Sequence, residues 1–402
     1  MRYHPLRWIA FSVFVFSTTL NYLDRTLLNY LAPSIMAEMS LNNIQFGWLI
    51  SAFSFTYAAV SLFAGRFLDR AGLNRAITAA VCWWSGAAVS TGLAGNFNGL
   101  ALCRSALGVG ESAGIPAVGK LNGLYLKPEE RALGTALNGV GLSVGSSLTP
   151  IWIAITGGHS WRAPFVISGL LGFVWIPVWL LVQRLIPPTD TPHQQTPQSS
   201  AGFSLLRDPP LMALMMANVL WMSGFSLWSN WVTLYLTHVY HITLKGTAVL
   251  VWIPPVVSNL GGFFGGWLSM RSIQRGVHPV RARQRAVWAS TAGVMSAFAL
   301  PFMPNAGWAT AVIALSFFFV LAGSVNIYAL PIDIYGAENA GFTVSALTFA
   351  YGVLQAVISP LIGWLADHGL YHQVVWLVTV PAVISSIVLL GCNSKEPSPA
   401  RY

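Results

Sequence analysis

The chain has 402 residues, of which 55% are hydrophobic and only 8% are charged, and its mean hydropathy is +0.61. Soluble globular proteins carry roughly 25% charged residues, so a water-exposed surface of the usual kind is excluded. The formal net charge is +9, yet the basic residues form no soluble basic face, which excludes binding to nucleic acid. We expect the chain to be surrounded by a lipid bilayer.

Apolar runs recur along the whole length of the chain. Most reach the roughly 20 residues that a helix needs to cross the hydrocarbon core of a bilayer. We therefore predict an all-α membrane protein with twelve transmembrane helices. In chain order the predicted spans are 7–33, 44–68, 76–94, 97–125, 131–157, 162–185, 211–237, 246–270, 284–303, 307–332, 338–366 and 373–392.

One long polar stretch interrupts this pattern after the sixth span, RLIPPTDTPHQQTPQSSAGFSLLRDPP at 184–210. Its content of Pro, Gln, Thr and Ser is typical of a flexible linker. The sequence therefore predicts an N-terminal six-helix half at 1–185, a linker at 186–208 and a C-terminal six-helix half at 209–402.

The basic residues predict how the chain is oriented in the membrane. When the loops are assigned alternately to the two sides, sixteen of the 21 Lys and Arg residues fall on one side, two on the other and three within spans. Loops rich in Lys and Arg stay in the cytoplasm. Both termini and the linker are therefore predicted to be cytoplasmic. The positive net charge results from this enrichment of Lys and Arg in the cytoplasmic loops.

The two predicted halves resemble each other in sequence. FAGRFLDR at 63–70 is similar to FGGWLSMR at 264–271, and ALNGVGLSVGSSLTPIW at 136–152 is similar to ALTFAYGVLQAVISPLI at 346–362. Duplicated six-helix halves occur in many secondary transporters. Together with the twelve spans and the linker, the repeat predicts two pseudo-symmetric halves.

The loop after the second span carries the most specific motif, GRFLDRAGLNR at 65–75. It resembles the signature of the major facilitator superfamily at the same loop, and RSALGVG at 104–110 resembles a second signature of that superfamily. The resemblance assigns a conformational role to Gly65, Asp69, Arg70, Gly72 and Arg75. Physically, Gly65 permits close helix contact, and the arginines face the anionic leaflet.

Within that superfamily, NYLDR at 21–25 and RSALGVGE at 104–111 together resemble the anion:cation symporter family. This family includes bacterial sugar-acid transporters and sialin-like carriers of animals. The resemblance implies proton-coupled uptake of a small organic carboxylate across a bacterial inner membrane, with protons as the coupling ion and no other cofactor. It assigns substrate contact to Tyr22, Arg25, Tyr57 and Arg104, and proton exchange to Asp24 and Glu111.

Two positions depart from the sugar-acid members of that family. In span eleven those members have an Asn where this chain places Thr348, and in span five they have a Gln near 141–143, which read Gly-Leu-Ser here. Fewer amides to bind hydroxyl groups favour a less hydroxylated carboxylate.

The charged residues inside the first half suit this chemistry on physical grounds as well. Arg104 and Glu111 are seven residues apart, which puts them on one helix face about 10 Å from each other. That spacing is too long for a direct salt bridge and suits two groups that share a cavity. A guanidinium binds carboxylate in a bidentate manner and keeps its charge. The alternative is a structural ion-pair network between the first and fourth spans.

The second half holds almost no charge inside its predicted spans. Its polar candidates for reading the non-carboxylate part of a ligand are Asn326, Tyr328 and Thr348. The alternative for such residues is ordinary helix packing, and many aromatic residues belong to interface belts.

Other functions fit the sequence less well. His238 and His241 have no acidic neighbour in sequence and no metal-ligand spacing, so we expect neither an enzyme nor a metal site. An organophosphate:phosphate antiporter usually has a basic residue in the first helix of each half, which span seven lacks. A channel would not need four charged groups in one half. A proton-independent facilitator or exchanger of organic anions remains the alternative, and we expect a monomer.

Overall fold

The computed structural model describes residues 5–126, 130–156, 160–186, 204–242 and 250–392, and it contains no strand within these ranges. Almost every described residue is helical. In chain order the helices are α1 (Arg7–Tyr30), α2 (Ala32–Met39), α3 (Asn43–Ala71), α4 (Leu73–Leu93), α5 (Phe97–Glu111), α6 (Gly114–Tyr125), α7 (Arg131–Thr156), α8 (Arg162–Leu185), α9 (Pro209–Asn230), α10 (Val232–Tyr240), α11 (Ile253–Gln274), α12 (Pro279–Val294), α13 (Ala306–Asp367) and α14 (Val374–Leu390).

Eight described helices are long and apolar enough to cross a membrane. They match predicted spans two, three, five, six, seven, ten, eleven and twelve. Spans ten and eleven correspond to two helices within α13, Ala306–Gly336 and Phe342–Asp367, which meet at a kink where Gly336 has a φ of +75°. Glycine reaches this left-handed region without steric cost. The other four predicted spans coincide with α1, with α5 and α6, with α11, and with α12 and its 3-10 continuation Met295–Phe302.

The fourth predicted span breaks into α5 and α6 directly after Glu111. Pro116 follows in the first turn of α6. A proline lacks the N–H that would bond to the carbonyl four residues earlier, and its ring clashes with that carbonyl. The carbonyl in question belongs to Ser112, which is where α5 ends. Glu111 therefore lies on the last turn of a helix.

The chain divides into two compact units. The first comprises Met1–Gln194 together with Gln355–Asp367, and the second comprises Gln195–Leu354 together with His368–Tyr402. The division at Gln194 falls within the predicted linker. The end of α13 thus groups with the first unit, although the sequence assigns it to the C-terminal half.

Two close helix contacts in the first unit fix the site described below. A Cβ added to Gly108 of α5 would lie 2.5 Å from the carbonyl oxygen of Phe53 in α3. One added to Gly145 of α7 would lie 2.3 Å from the carbonyl oxygen of Thr19 in α1. Only glycine permits these approaches. They bring the face of α5 that carries Arg104 and Glu111 against α3, and α7 against α1.

The start of α3 is capped twice. The side chain of Asn42 accepts from the backbone N–H of Gln45, whose own side chain accepts from the N–H of Asn42. The carboxylate of Asp367 accepts from the backbone N–H groups of Asn43 and Ile44 at 2.9 and 3.0 Å, and from the side-chain amide of Asn43. A carboxylate at a helix N-terminus is favourable, so Asp367 ties the end of α13 to α3.

The predicted signature motif lies where α3 ends and α4 begins. Gly72 separates the two helices with φ at +77°, and Arg70 and Arg75 are exposed, as expected for residues facing a headgroup layer. Gly65 and Asp69 belong to α3, and the Asp69 side chain lies outside the described part of the structure. Lys120 of α6 donates to the carbonyl of Leu68 at 2.7 Å, so it caps α3.

Candidate functional site

A small cavity of about 30 Å³ opens within the first unit. Six helices contribute to its wall, and the polar part of the wall comes mainly from α1. The lining residues are Phe14, Ser17, Thr18, Asn21, Tyr22, Arg25, Tyr57, Ile77, Trp84, Glu111, Gly114, Val118, Asn138 and Leu142. Four of the residues predicted from the sequence therefore meet here, namely Tyr22, Arg25, Tyr57 and Glu111.

Arg25 and Glu111 form a salt bridge in the cavity wall. The Nη2 and Nε atoms of Arg25 donate to Oε2 of Glu111 at 2.7 and 3.0 Å. The Glu111 side chain is fully buried, whereas 23% of the Arg25 side chain is exposed. Oε1 of Glu111 has no hydrogen-bond partner among the described residues. The carboxylate thus covers one edge of the guanidinium that faces the cavity.

Three aromatic rings surround the Arg25 guanidinium. Its Cζ lies 4.8 Å from the ring centre of Tyr22 and 4.9 Å from those of Phe53 and Tyr57. Cation–π attraction of this kind strengthens when the cation is shielded from water. The rings therefore hold Arg25 in place when its carboxylate partner changes.

Arg104 lies behind the cavity wall. It is 3% exposed, and its Cζ lies 4.8 Å from the centre of the Phe53 ring, which Arg25 also contacts. Its Nε and Nη1 atoms have no hydrogen-bond partner in the described part of the chain. Arg104 does not line the cavity, which corrects the expectation that Arg104 and Glu111 share it. A buried guanidinium with unused donors is costly, and an anion would satisfy it.

Asp24 faces away from the cavity. It is 2% exposed, and its Oδ1 has no hydrogen-bond partner among the described residues. Adjacent residues on a helix project about 100° apart, so Arg25 reaches the cavity while Asp24 projects away from it. The two charged residues that interrupt the apolar sequence of α1 therefore have different surroundings.

A polar wall of hydroxyl and amide groups lines the cavity next to Arg25. It consists of Ser17, Thr18, Asn21 and Asn138. The hydroxyl of Thr18 donates to Oδ1 of Asn138 at 3.0 Å, and Nδ2 of Asn21 has no hydrogen-bond partner within the described residues. Asn138 was not singled out by the sequence, although it is an amide in span five, one turn before 141–143.

The comparisons with known proteins identify the family. The model of the Major Facilitator Superfamily matches residues 14–357. The chain belongs to the Major Facilitator Superfamily. It is 26% identical over 415 residues to the hexuronate transporter of Escherichia coli (strain K12), covering 98% of this chain and 95% of that protein. It is also 26% identical over 284 residues to the galacturonate transporter of Dickeya chrysanthemi, covering 66% of this chain and 82% of that protein.

A solved structure shows the same fold. This chain is similar to the crystal structure of a bacterial homolog of the human lysosomal transporter Spinster in an inward-facing and unoccupied conformation. The two structures superpose with a TM-score of 0.79 and 20% sequence identity, and the superposition covers 99% of this chain and all of the other. The predicted fold class, an all-α membrane protein of the twelve-helix superfamily, is confirmed. A member of this superfamily is a membrane transporter and not an enzyme.

The three residues predicted in the second half lie in the second unit. Asn326 is fully buried, and its Nδ2 donates to the carbonyl oxygens of Gly265 and Ala322 at 3.0 and 2.8 Å, so its amide holds α13 against α11. Thr348 donates to the carbonyl of Val344 within its own helix at 3.1 Å, and Tyr328 is half-buried. Substrate contact by these residues stays a prediction.

Proposed function

We propose that this transporter carries a small organic carboxylate of the sugar-acid class into the cell, together with protons. The observation that carries the proposal is the Arg25–Glu111 salt bridge in the wall of a polar cavity. The Arg25 guanidinium binds the substrate carboxylate, and the Glu111 carboxylate pairs with the same guanidinium when substrate is absent. Proton and substrate therefore stabilise the same state of the site.

The exchange follows from the contacts of Arg25. While Glu111 is ionised, its Oε2 accepts from both Nε and Nη2 of Arg25, and the bidentate edge of the guanidinium is occupied. A proton on Glu111 removes the charge–charge attraction, and the aromatic rings keep the cation at the cavity. The substrate carboxylate then takes the two donors. Loss of the proton restores the salt bridge and releases the anion.

Arg104 supplies the second positive charge. Its unused Nε and Nη1 donors make the region cation-rich when Glu111 and Asp24 are neutral, which favours entry of an anion. The Phe53 ring contacts both guanidiniums, because its centre lies 4.9 Å from Cζ of Arg25 and 4.8 Å from Cζ of Arg104.

The polar wall supports a hydroxylated substrate. Asn21 and Asn138 offer amides, and Ser17 and Thr18 offer hydroxyls, on the side of the cavity next to Arg25. These groups supply the hydrogen-bonding capacity that the sequence lacked at 141–143. The hexuronate and galacturonate transporters to which the chain is similar support the same substrate class.

Proton coupling offsets the electrical cost of importing an anion. Moving one negative charge into a cell with a negative interior costs about 2.3 kcal/mol per 100 mV, and co-transported protons compensate for it. We further propose that the protein resides as a monomer in a bacterial inner membrane with both termini in the cytoplasm, because the loop charges obey the positive-inside rule. No cofactor other than the coupling proton is involved.

Transport by purified protein in proteoliposomes tests this proposal. The panel comprises D-galacturonate, D-glucuronate and D-galactonate, with D-galactose as the matched control that lacks a carboxylate. We expect an acidic exterior to drive accumulation of at least one acid, a protonophore to abolish it, and D-galactose to be excluded. If the acids only equilibrate across the membrane and the proton gradient has no effect on their uptake, the protein is a proton-independent facilitator. Transport of D-galactose would contradict recognition of the carboxylate.

A further inference from the structure

The turn between α11 and α12 concentrates positive charge on the surface of the second unit. Arginine occupies five of the fifteen positions at 271–285, and residues 250–332 contain no Asp or Glu. Four of these arginines are exposed and form no salt bridge with any described residue, namely Arg271, Arg275, Arg281 and Arg285. Their charges are therefore available to an anion that approaches from outside the protein.

The fifth arginine, Arg283, has a structural role. Its Nε donates to Oδ2 of Asp333 in α13 at 3.2 Å, and its Nη1 donates to the hydroxyl of Ser269 in α11 at 2.8 Å. Arg283 thus joins α12 to two other helices. Asp333 neutralises this arginine and leaves the four exposed ones uncompensated.

The turn that carries these arginines is short and ordered. Four residues, 275–278, separate α11 from α12. The backbone N–H of Gly276 donates to the carbonyl of Ile273 at 2.9 Å, and that of Val277 donates to the carbonyl of Ser272 at 3.2 Å. With Gly276 at a φ of +83°, these bonds form the Schellman motif that commonly ends a helix. The arginines are therefore held on helix ends and a fixed turn.

The exposed arginines form two pairs of equal spacing. Arg281 and Arg285 lie four residues apart on α12, so their Cβ atoms are neighbours on one helix face, about 6 Å apart. Arg271 and Arg275 have the same spacing at the end of α11. A planar guanidinium donates to two phosphate oxygens at once. Each pair thus offers a phosphate group several donors from two fixed cations.

An exposed tryptophan lies next to each pair, towards the middle of the helix. Trp267 precedes Arg271 by one turn of α11, and Cζ of Arg271 lies 5.3 Å from the centre of its ring. Trp288 follows Arg285 by three residues on α12. The two tryptophans are 45% and 37% exposed. Because tryptophan prefers the boundary between lipid headgroups and acyl chains, the neighbouring arginines lie at the depth of the lipid phosphates.

We propose that the turn at 271–285 and its two tryptophans bind the headgroup of an anionic phospholipid. The phosphate lies between the exposed arginines, and the glycerol and upper acyl chains pack against Trp267 and Trp288. A soluble phosphate compound would use the arginines but not the tryptophans. The site lies in the second unit, so this inference does not depend on which substrate the cavity of the first unit carries.

Native mass spectrometry of the purified full chain, titrated with lipid in detergent, tests the site. The probes are phosphatidylglycerol and, as the neutral lipid, phosphatidylcholine with the same acyl chains. We expect wild type to bind phosphatidylglycerol more tightly. Arg281→Gln/Arg285→Gln should raise the Kd for phosphatidylglycerol about 30-fold, because each arginine near an anionic lipid contributes about fivefold. The Kd for phosphatidylcholine should stay the same.

Arg184→Gln/Arg207→Gln is the matched control, since it removes two exposed arginines that lie outside the turn at 271–285. Its Kd for phosphatidylglycerol should equal that of wild type. An equal loss of affinity in both double variants would overturn the proposal, because the lipid would then respond to net charge and not to a site. Thermal unfolding of both variants in phosphatidylcholine verifies that they are folded.

Two further arms distinguish a lipid from a soluble phosphate compound. Trp267→Ala/Trp288→Ala keeps every arginine and should still weaken binding of phosphatidylglycerol. Glycerol phosphate, which carries the phosphate without acyl chains, should not displace the lipid at equal concentration. Displacement by glycerol phosphate, or unchanged lipid affinity in the tryptophan variant, would overturn the lipid site.

Discussion

Replacement of Arg104 by Met tests whether this buried cation binds substrate or stabilises the fold. Arg104 is 3% exposed, forms no salt bridge among the described residues, and leaves Nε and Nη1 without partners. Methionine fills a similar volume without the charge. A buried donor without a partner costs about 1–3 kcal/mol, and more when the group is charged, so we expect Arg104→Met to unfold at a higher temperature than wild type in the same detergent.

The same variant should lose its affinity for substrate. A buried charge-assisted contact contributes about 2–5 kcal/mol, which at ~1.4 kcal/mol per tenfold change amounts to tens to thousands of fold in Kd. Binding is measured by isothermal titration with D-galacturonate, and stability by thermal unfolding. Arg162→Met is the control, since Arg162 pairs with Glu38 away from the cavity, and its affinity should equal that of wild type. Lower stability of Arg104→Met with unchanged Kd would refute the receptor role and favour the structural network.

Three further predictions concern groups around the site and the orientation of the chain. Phe53→Leu removes a ring that contacts both guanidiniums and should weaken binding of D-galacturonate about tenfold, because a desolvated cation–π contact is worth about 1–2 kcal/mol. Unchanged affinity in calorimetric titration would contradict this role of Phe53. Asn138→Leu should lower affinity for D-galacturonate and leave affinity for a carboxylate without hydroxyl groups unchanged, as competition assays would show. A cysteine introduced at 187–206 in a cysteine-free background should react with an impermeant maleimide only from the cytoplasmic side. Labelling of this cysteine from outside intact cells would contradict the predicted orientation.

The fold was accessible from the sequence because the bilayer imposes simple constraints. Apolar length and loop charge predict the spans, and the signature at 65–75 predicts the superfamily, which the family match confirms. The break within the fourth span was less accessible. Pro116 ends α5 at Glu111, whereas the division at Gly336 lies between spans ten and eleven, where the sequence predicted one. The Pro116 break is a local backbone effect inside a continuous apolar run, and hydropathy does not detect it.

The site was predictable only in part. The motif NYLDR marks Asp24 and Arg25, but two adjacent residues face different directions, and the sequence does not say which faces the cavity. The partner of Glu111 proved to be Arg25, 86 residues away on another helix. This long-range contact is not visible in residue spacing.

Two neutral residues of the site escaped sequence analysis. Phe53 precedes Tyr57 by one helical turn and stacks on its ring with a centroid distance of 5.7 Å, so the spacing could have indicated it. Asn138 is a polar residue in an apolar span and gave a weak signal.

Transport by Glu111→Gln tests the central claim most directly. Glutamine keeps the shape of the protonated acid but cannot release a proton, so Arg25 should remain available to the anion. In proteoliposomes we expect this variant to exchange D-galacturonate in counterflow as wild type does, to bind it with little dependence on pH, and to fail to accumulate it on a proton gradient. Glu38→Gln, which alters the acid paired with Arg162, should accumulate substrate normally. Gradient-driven accumulation by Glu111→Gln at the wild-type level would contradict the account and assign the coupling proton to another group.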